Sequence, residues 1–176
     1  EWYTPLTQSG GENPKTLVLR TAAGVGLIGQ YNRRAGLSPF ERFYLGGVFL
    51  SGFVLDGREI LNLRGYDDLS LTAPDRNTGA PVVAKYSAEL RYPLSTNPSA
   101  TIYTLAFLEG GNTWEDPRAF NPFQVYRSAG VGMRIFLPMF GLLGLDYGWR
   151  LDDLESVPNM DRAQFHFSIG MNMGEL

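Results

Sequence analysis

The sequence has 176 residues, which is enough for one domain, and its formal net charge of −3 provides no basic surface for nucleic acid, which we exclude as a partner. The absence of Cys excludes a disulfide framework, a thiolate metal site and a Cys nucleophile. The content of 21 Gly, 11 Phe and 9 Tyr favours strands and turns over helices.

Alternation of apolar and polar residues predicts an all-β fold. The period is clearest from Val82 to Tyr92, where Glu89 and Arg91 lie opposite the apolar residues. We predict six full strands and a partial edge strand, over residues 1–6, 17–29, 82–92, 101–109, 128–137, 142–150 and 164–173. Short turns (7–15, 93–100 and 138–141) alternate with long connections (32–80, 115–127 and 152–162), as expected for the two rims of a membrane β-barrel.

The two faces of the predicted strands also favour a barrel over a soluble sandwich. Aromatic residues near strand ends on the apolar face, at Tyr92, Trp149 and Phe165, fit an interfacial girdle. The other face would be a poor sandwich core because it carries charges, which a wet barrel lumen tolerates better. Its charged residues are Arg20, Glu89, Arg91, Arg134, Asp146 and Arg150, and its glycines are Gly24, Gly26, Gly130, Gly132, Gly144 and Gly148. The glycines leave space for an inserted loop or permit strand bending, and both interpretations stay open.

The long connection from Phe40 to Asp67 contains ERFYLGG (Glu41–Gly47) and LRGY (Leu63–Tyr66). Connections of this length without regular structure are usually functional or disordered. This one is too apolar for a disordered segment. We therefore expect it to fold back between the strands, with Arg64 as its charged anchor.

Seven motifs in a fixed order carry a family resemblance. They are FYLGG (43–47), LRGY (63–66), SAELRYP (87–93), FLEGGNTW (107–114), SAGVGMRIFLP (128–138), GLDYGW (144–149) and FHFSIG (165–170). The chain resembles the Omp85 superfamily, most closely the BamA-type outer-membrane protein assembly factors of Gram-negative bacteria. The resemblance implies that residues 1–176 are the C-terminal strands of an antiparallel transmembrane β-barrel, with a long lumen-inserted loop that carries the RGY motif.

The resemblance also implies the site residues. Arg64 of the loop motif Arg64, Gly65 and Tyr66 would contact acidic partners at Glu89 and Glu109, which a planar guanidinium can bridge. The last strand would form one side of a lateral seam where a client strand is added. Its seam residues are Phe165, Phe167, Ile169, Gly170 and Met173. Met173 holds a place that is usually aromatic in the family, and Gly174–Leu176 extend beyond it.

The function implied is the folding and insertion of β-barrel proteins into the outer membrane, without enzymatic activity, cofactor or metal. The implied partners are outer-membrane lipid, nascent β-barrel client proteins, and assembly-complex lipoproteins reached through periplasmic domains that are absent here. A secretion pore of the same superfamily is the first alternative. A small barrel hydrolase that uses Ser168, His166 and Asp146 is the second, although no G-x-S-x-G motif supports it.

Overall fold

One antiparallel sheet makes up most of the fold. The computed structural model describes residues 1–8, 15–29, 41–48, 59–75, 77–97, 99–138, 141–154 and 161–169. Its strands are β1 (Trp2–Gln8), β2 (Thr16–Leu27), β3 (Phe43–Leu45), β4 (Glu59–Leu61), β5 (Val82–Asn97), β6 (Ala100–Trp114), β7 (Tyr126–Leu137), β8 (Gly141–Arg150) and β9 (Ala163–Ile169). Seven of them form the sheet in the order β1-β2-β5-β6-β7-β8-β9, and β3 and β4 form a separate parallel pair. A 3₁₀ turn covers Pro117–Ala119.

All seven predicted strands are present in the sheet, and the all-β antiparallel prediction is confirmed, while β3 and β4 are additional to the prediction. Among the described residues, no helix has the length and apolar character needed to cross a membrane. The prediction for the last strand extends to Met173, and its residues from Gly170 onward lie outside the part of the chain that the structure describes.

The predicted turn at residues 93–100 is wrong in extent. β5 continues to Asn97, and Pro93 pairs with Tyr103 of β6 inside the ladder. The register shifts between Pro93 and Ser95, so the proline occupies an irregularity, where its missing N–H is tolerated. β6 likewise continues through the GGNTW residues, because Gly111 pairs with Lys85 and Trp114 with Val82.

The sheet is apolar on its exposed face and polar on its buried face. Val131 in the middle of β7 is 50% exposed, whereas Asp146 of β8 is 1% exposed. Other exposed residues of the apolar face are Val25, Leu27, Leu90, Leu108, Tyr147, Trp149, Phe165 and Ile169, and other buried charges are Glu89, Glu109 and Arg134. This arrangement is the inverse of a soluble domain, in which charged side chains are almost never fully buried unless paired.

The apolar face is covered at one end, where the sequence pattern predicts exposure. Val82 and Ala84 are 1% and 0% exposed and pack with Trp114. The connection after β6 folds back here, and the ring of Phe120 contacts that of Trp114 edge-on, with centroids 4.9 Å apart. Alternation along β5 cannot predict that Val82 and Ala84 are buried, because Phe120 covers this end from a separate connection.

We call residues 43–48 and 59–75 the inner segment, since they pack on the polar face of the sheet. A cluster of buried side chains joins the two: Phe43, Leu45, Leu61, Leu63, Tyr66 and Leu71 from the inner segment, with Val83 and Leu154. Glycines of the sheet make room for it. A Cβ added to Gly26 would lie 2.5 Å from Cζ of Phe43, and one added to Gly111 would lie 3.2 Å from a methyl group of Leu45.

The glycine pair of the ERFYLGG motif shapes the inner segment itself. Gly46 and Gly47 have positive φ, and a Cβ on Gly46 would lie 2.7 Å from the carbonyl oxygen of Asp67. Gly47 accepts a hydrogen bond of 2.9 Å from the N–H of Leu63. The FYLGG motif is therefore hydrogen-bonded to the backbone at the start of the LRGY motif.

Candidate functional site

The RGY turn contacts the sheet through two glycines. Gly65 has φ +86°, and a Cβ on it would lie 3.1 Å from the carbonyl carbon of Trp149. A Cβ on Gly148 would lie 2.7 Å from the amide nitrogen of Gly65. Because real Cβ atoms avoid such distances, the backbones of the turn and of β8 approach each other only where both residues lack a side chain.

Arg64 points from this turn into a group of three carboxylates on three strands. Its Nη2 atom lies 2.6 Å from both Glu89 of β5 and Glu109 of β6, and Nη1 lies 3.3 Å from Asp146 of β8. The backbone N–H of Arg64 donates to the second oxygen of Glu109 at 3.0 Å. The guanidinium carbon lies 3.7 Å from the centroid of the Phe107 ring.

Further arginines neutralise these carboxylates. Arg134 of β7 binds both oxygens of Asp146, at 3.0 and 2.9 Å. Arg91 donates twice to Glu89, at 2.8 and 2.5 Å. The Arg134–Asp146 pair is bidentate, and in both pairs two guanidinium donors are satisfied at once, as buried charges require. Burial by itself would lower the pKa of Arg64, but the carboxylates of Glu109 and Glu89 outweigh it and raise that pKa, so the guanidinium stays charged.

The last described strand also contacts the inner segment. The N–H of Gly65 donates to Nε2 of His166 at 2.9 Å, and the side-chain amide of Gln164 donates to the carboxylate of Asp67. An imidazole nitrogen that accepts from an N–H carries no proton, so His166 is neutral in this arrangement. The contacts of Arg64, Gly65 and Asp67 thus reach four strands, β5, β6, β8 and β9.

Tyr66 fixes the other side of the turn. Its hydroxyl donates to the carbonyl oxygen of Arg127 at 2.7 Å, and its ring meets that of Tyr126 edge-on, with centroids 6.5 Å apart. Burial, together with the charge of Asp152, raises the pKa of Tyr66, so its hydroxyl stays protonated and remains a donor. Asp152 itself lies 2.6 Å from the guanidinium of Arg127.

The structure brings Arg64 together with both of the acidic residues that the family resemblance pairs with it, Glu89 and Glu109. Sequence reasoning missed Asp146 and Arg134 as members of the cluster. Both were assigned to the polar face, but their meeting depends on the register of β7 and β8, in which Gly132 pairs with Asp146 and Arg134 with Gly144. That register cannot be read from two separate alternating runs.

The predicted seam residues divide into two groups. Phe165, Phe167 and Ile169 lie on β9, where Phe165 is 64% and Ile169 is 54% exposed. Gly170 and Met173 lie outside the described residues. Among the described residues, the outer edge of β9 has no strand partner.

Two residues of the alternative hydrolase prediction, Asp146 and His166, are hydrogen-bonded to other groups. Asp146 accepts from Arg64 and Arg134, and Nε2 of His166 accepts from Gly65. The Asp146 carboxylate and Nε2 of His166 are thus both engaged in hydrogen bonds, with the two arginines and with the inner segment. In the part of the chain that the structure describes, no group of three or more His, Asp or Glu side chains could hold a metal ion.

Comparison with known families gives the assignment. The model of the Omp85 superfamily domain matches residues 1–173. The chain belongs to the Omp85 superfamily. Omp85 proteins are outer-membrane proteins of Gram-negative bacteria and are generally non-enzymatic insertases or transporters. A search of curated proteins finds no match to this Omp85 chain.

Proposed function

We propose that this chain is the C-terminal part of an Omp85 β-barrel that folds and inserts other β-barrel proteins into the outer membrane of a Gram-negative bacterium. One observation carries the proposal: β9 has an edge without a strand partner among the described residues, while its polar face is bound to the segment that Arg64 anchors. An exposed strand edge can pair with an incoming strand through backbone hydrogen bonds. In this proposal one side of the client seam consists of the edge of β9, with Phe165, Phe167 and Ile169, and of Gly170 and Met173 after it in the sequence.

The Arg64 cluster would hold the inner segment in place while the seam works. The guanidinium joins carboxylates from three strands, and Gly65 and Asp67 extend the contacts to the seam strand. Nascent β-barrel proteins are the clients in this proposal. Strand pairing and burial of the client's apolar face in lipid supply the free energy, so no nucleotide or metal is required.

The remaining partners follow from the faces of the sheet and from the family. The exposed apolar face, with Val131 in its middle, suits contact with outer-membrane lipid. We further propose that assembly-complex lipoproteins bind through periplasmic domains that this chain does not include.

The test is Arg64→Ala in the full-length protein. Removing one partner from a buried ion cluster costs about 3–5 kcal/mol. In Arg64→Ala the carboxylates of Glu89 and Glu109 lose the Nη2 atom that lies 2.6 Å from each of them. We expect a loosened inner segment and a severalfold loss of folded β-barrel clients in the outer membrane, measured by quantitative proteomics after depletion of the wild-type protein. Arg64→Lys should restore function only in part, because a single ammonium cannot reproduce the bridging geometry.

Arg118→Ala is the matched control, since Arg118 is exposed in the 3₁₀ turn and should tolerate loss of its side chain. Unchanged client levels together with loss of one exported protein would contradict the assembly proposal and support the secretion pore.

A further inference from the structure

β9 is held by more than its strand ladder. In the described part of the chain its one strand neighbour is β8, which it pairs from Ala163 to Ile169. Two contacts on its polar face add to this ladder, Gly65 N–H to His166 Nε2 and the Gln164 amide to Asp67. We call these two contacts the β9 latch. An edge strand with one neighbour gains from the latch a second, independent attachment.

We propose that His166 is a positioning residue, which makes the position of the seam strand depend on the seating of the RGY turn through the β9 latch. The inference rests on the proposed function, because it assumes that client strands pair with the edge of β9. His166 acts through Gly65 and touches no client in this proposal.

The donor of the latch has a fixed position. Gly65 directly follows Arg64, whose guanidinium is bound by Glu89, Glu109 and Asp146. Its backbone also rests on that of Gly148, with no space for a side chain between them. When Arg64 leaves its carboxylates, the N–H of Gly65 moves with it, and the hydrogen bond to β9 is lost.

The acceptor of the latch depends on protonation. Neutral imidazole offers a lone pair at Nε2, whereas protonated imidazole carries N–H on both nitrogens and would direct one of them at the N–H of Gly65. Acid that protonates His166 therefore breaks the hydrogen bond from Gly65, whereas the contact between Gln164 and Asp67 does not involve the imidazole.

Charged groups on β6, on β8 and on the inner segment surround the imidazole of His166. Asp146 of β8, Glu109 of β6, and Asp68 and Arg64 of the inner segment face the imidazole. The three carboxylates favour the protonated imidazole, and the guanidinium of Arg64 favours the neutral one.

Two substitutions separate the chemistry of the latch from the size of the side chain. His166→Gln keeps an acceptor, because its amide oxygen can take the same N–H without titrating. His166→Phe keeps a planar ring and removes the acceptor. Leu145→Ile on the neighbouring β8, outside the seam, is the control for a general change in the β8–β9 ladder.

The first readout is hydrogen exchange of the Gly65 amide in the full-length protein in lipid bilayers, corrected for intrinsic exchange at pH 7.5 and pH 5. We expect wild-type protection at pH 7.5 to fall about threefold to tenfold at pH 5, the factor that corresponds to one hydrogen bond. His166→Gln should keep the higher protection at both pH values, and His166→Phe should show the threefold to tenfold lower protection at both. Equal exchange in the wild type and His166→Phe at pH 7.5 overturns the proposal.

The second readout is insertion of a purified β-barrel client into the same bilayers. We expect His166→Phe to slow insertion about threefold to tenfold at pH 7.5, and His166→Gln to restore it and remove its decline at pH 5. Equal insertion rates in all variants overturn the positioning role even if exchange reveals the latch. A wild-type protein that inserts no client contradicts the proposed function instead, and exchange still reports the latch by itself.

Discussion

At the scale of single residues, the site depends as much on glycines, which have no side chain, as on charged residues. Arg64 reaches its three carboxylates because Gly65 lies directly on β8 at Gly148. The pairing of Arg64 with Glu89 and Glu109 could be predicted only from the family resemblance, which agrees with the polar face that alternation assigns to Glu89. The addition of Asp146 and Arg134 could not, since it follows from strand register, and no local pattern encodes which polar residues of β7 and β8 become neighbours.

Gly148→Ala should therefore displace the RGY turn although it changes no charge. The added Cβ would lie 2.7 Å from the amide nitrogen of Gly65 and 2.9 Å from its Cα, and relief of such an overlap typically costs about 1–3 kcal/mol. We expect faster hydrogen exchange of Gly65 and a lower denaturation midpoint in detergent. Gly29→Ala is the matched control, because no atom of the described residues lies within 4 Å of a Cβ added there. Equal effects of the two substitutions would refute the close-contact argument.

At the scale of elements, the inner segment is attached to the sheet at both ends of its second part. Arg64 and Gly65 bind near one end, and at the other end Thr113 of β6 donates to the carbonyl of Leu71 at 2.6 Å and accepts from the N–H of Ala73 at 2.8 Å. The sequence predicts that this connection packs against the strands, because its apolar residues require burial. It does not predict the parallel β3–β4 pair, which forms between three-residue runs too short to show a period.

Thr113→Val tests the second attachment with little change in volume. The substitution leaves the buried carbonyl of Leu71 and the N–H of Ala73 without this hydroxyl, at about 1–3 kcal/mol for each unsatisfied group. We expect proteolysis of the full-length protein within the inner segment to become faster at unchanged sheet content by circular dichroism. Thr104→Val should behave as wild type, since its hydroxyl is exposed and lies 3.4 Å from the carbonyl of Tyr92. Slow proteolysis in both variants would mean that Thr113 does not anchor the segment.

At the scale of the whole molecule, the two faces of the sheet differ in polarity, and this difference determines what each face contacts. The exposed apolar face and the buried ionic face could both be predicted from alternation, because a period of two assigns every residue to one side. The cover over Val82 and Ala84 could not, since it comes from Phe120 and Trp114 and not from β5. The boundaries of β5 and β6 were also missed, because Pro93 and the GGNTW glycines act as breakers in sequence but are paired in the sheet.

Val131→Arg tests whether the apolar face contacts lipid. Val131 is 50% exposed in the middle of β7, and an arginine at the midplane of a bilayer costs a β-barrel about 2–4 kcal/mol. We expect a lower yield of folded protein in bilayers and a lower midpoint in urea. Phe123→Arg makes a similar change at a residue that is 91% exposed and lies outside the strands, and it should have little effect. A Val131→Arg protein as stable as Phe123→Arg would place this face in water.

The hydrogen bond between Gly65 and His166 joins residues 101 positions apart in the chain. Contacts of such separation form late, because the entropy of closing the intervening loop must be overcome first. During folding Arg64 can meet Glu89 and Glu109, which lie 25 and 45 positions away, before Gly65 meets its acceptor, which requires β9 to have paired. The RGY turn thus reaches its final contacts only in a chain whose sheet is complete through β9, and the exchange rate of one amide reports that completion.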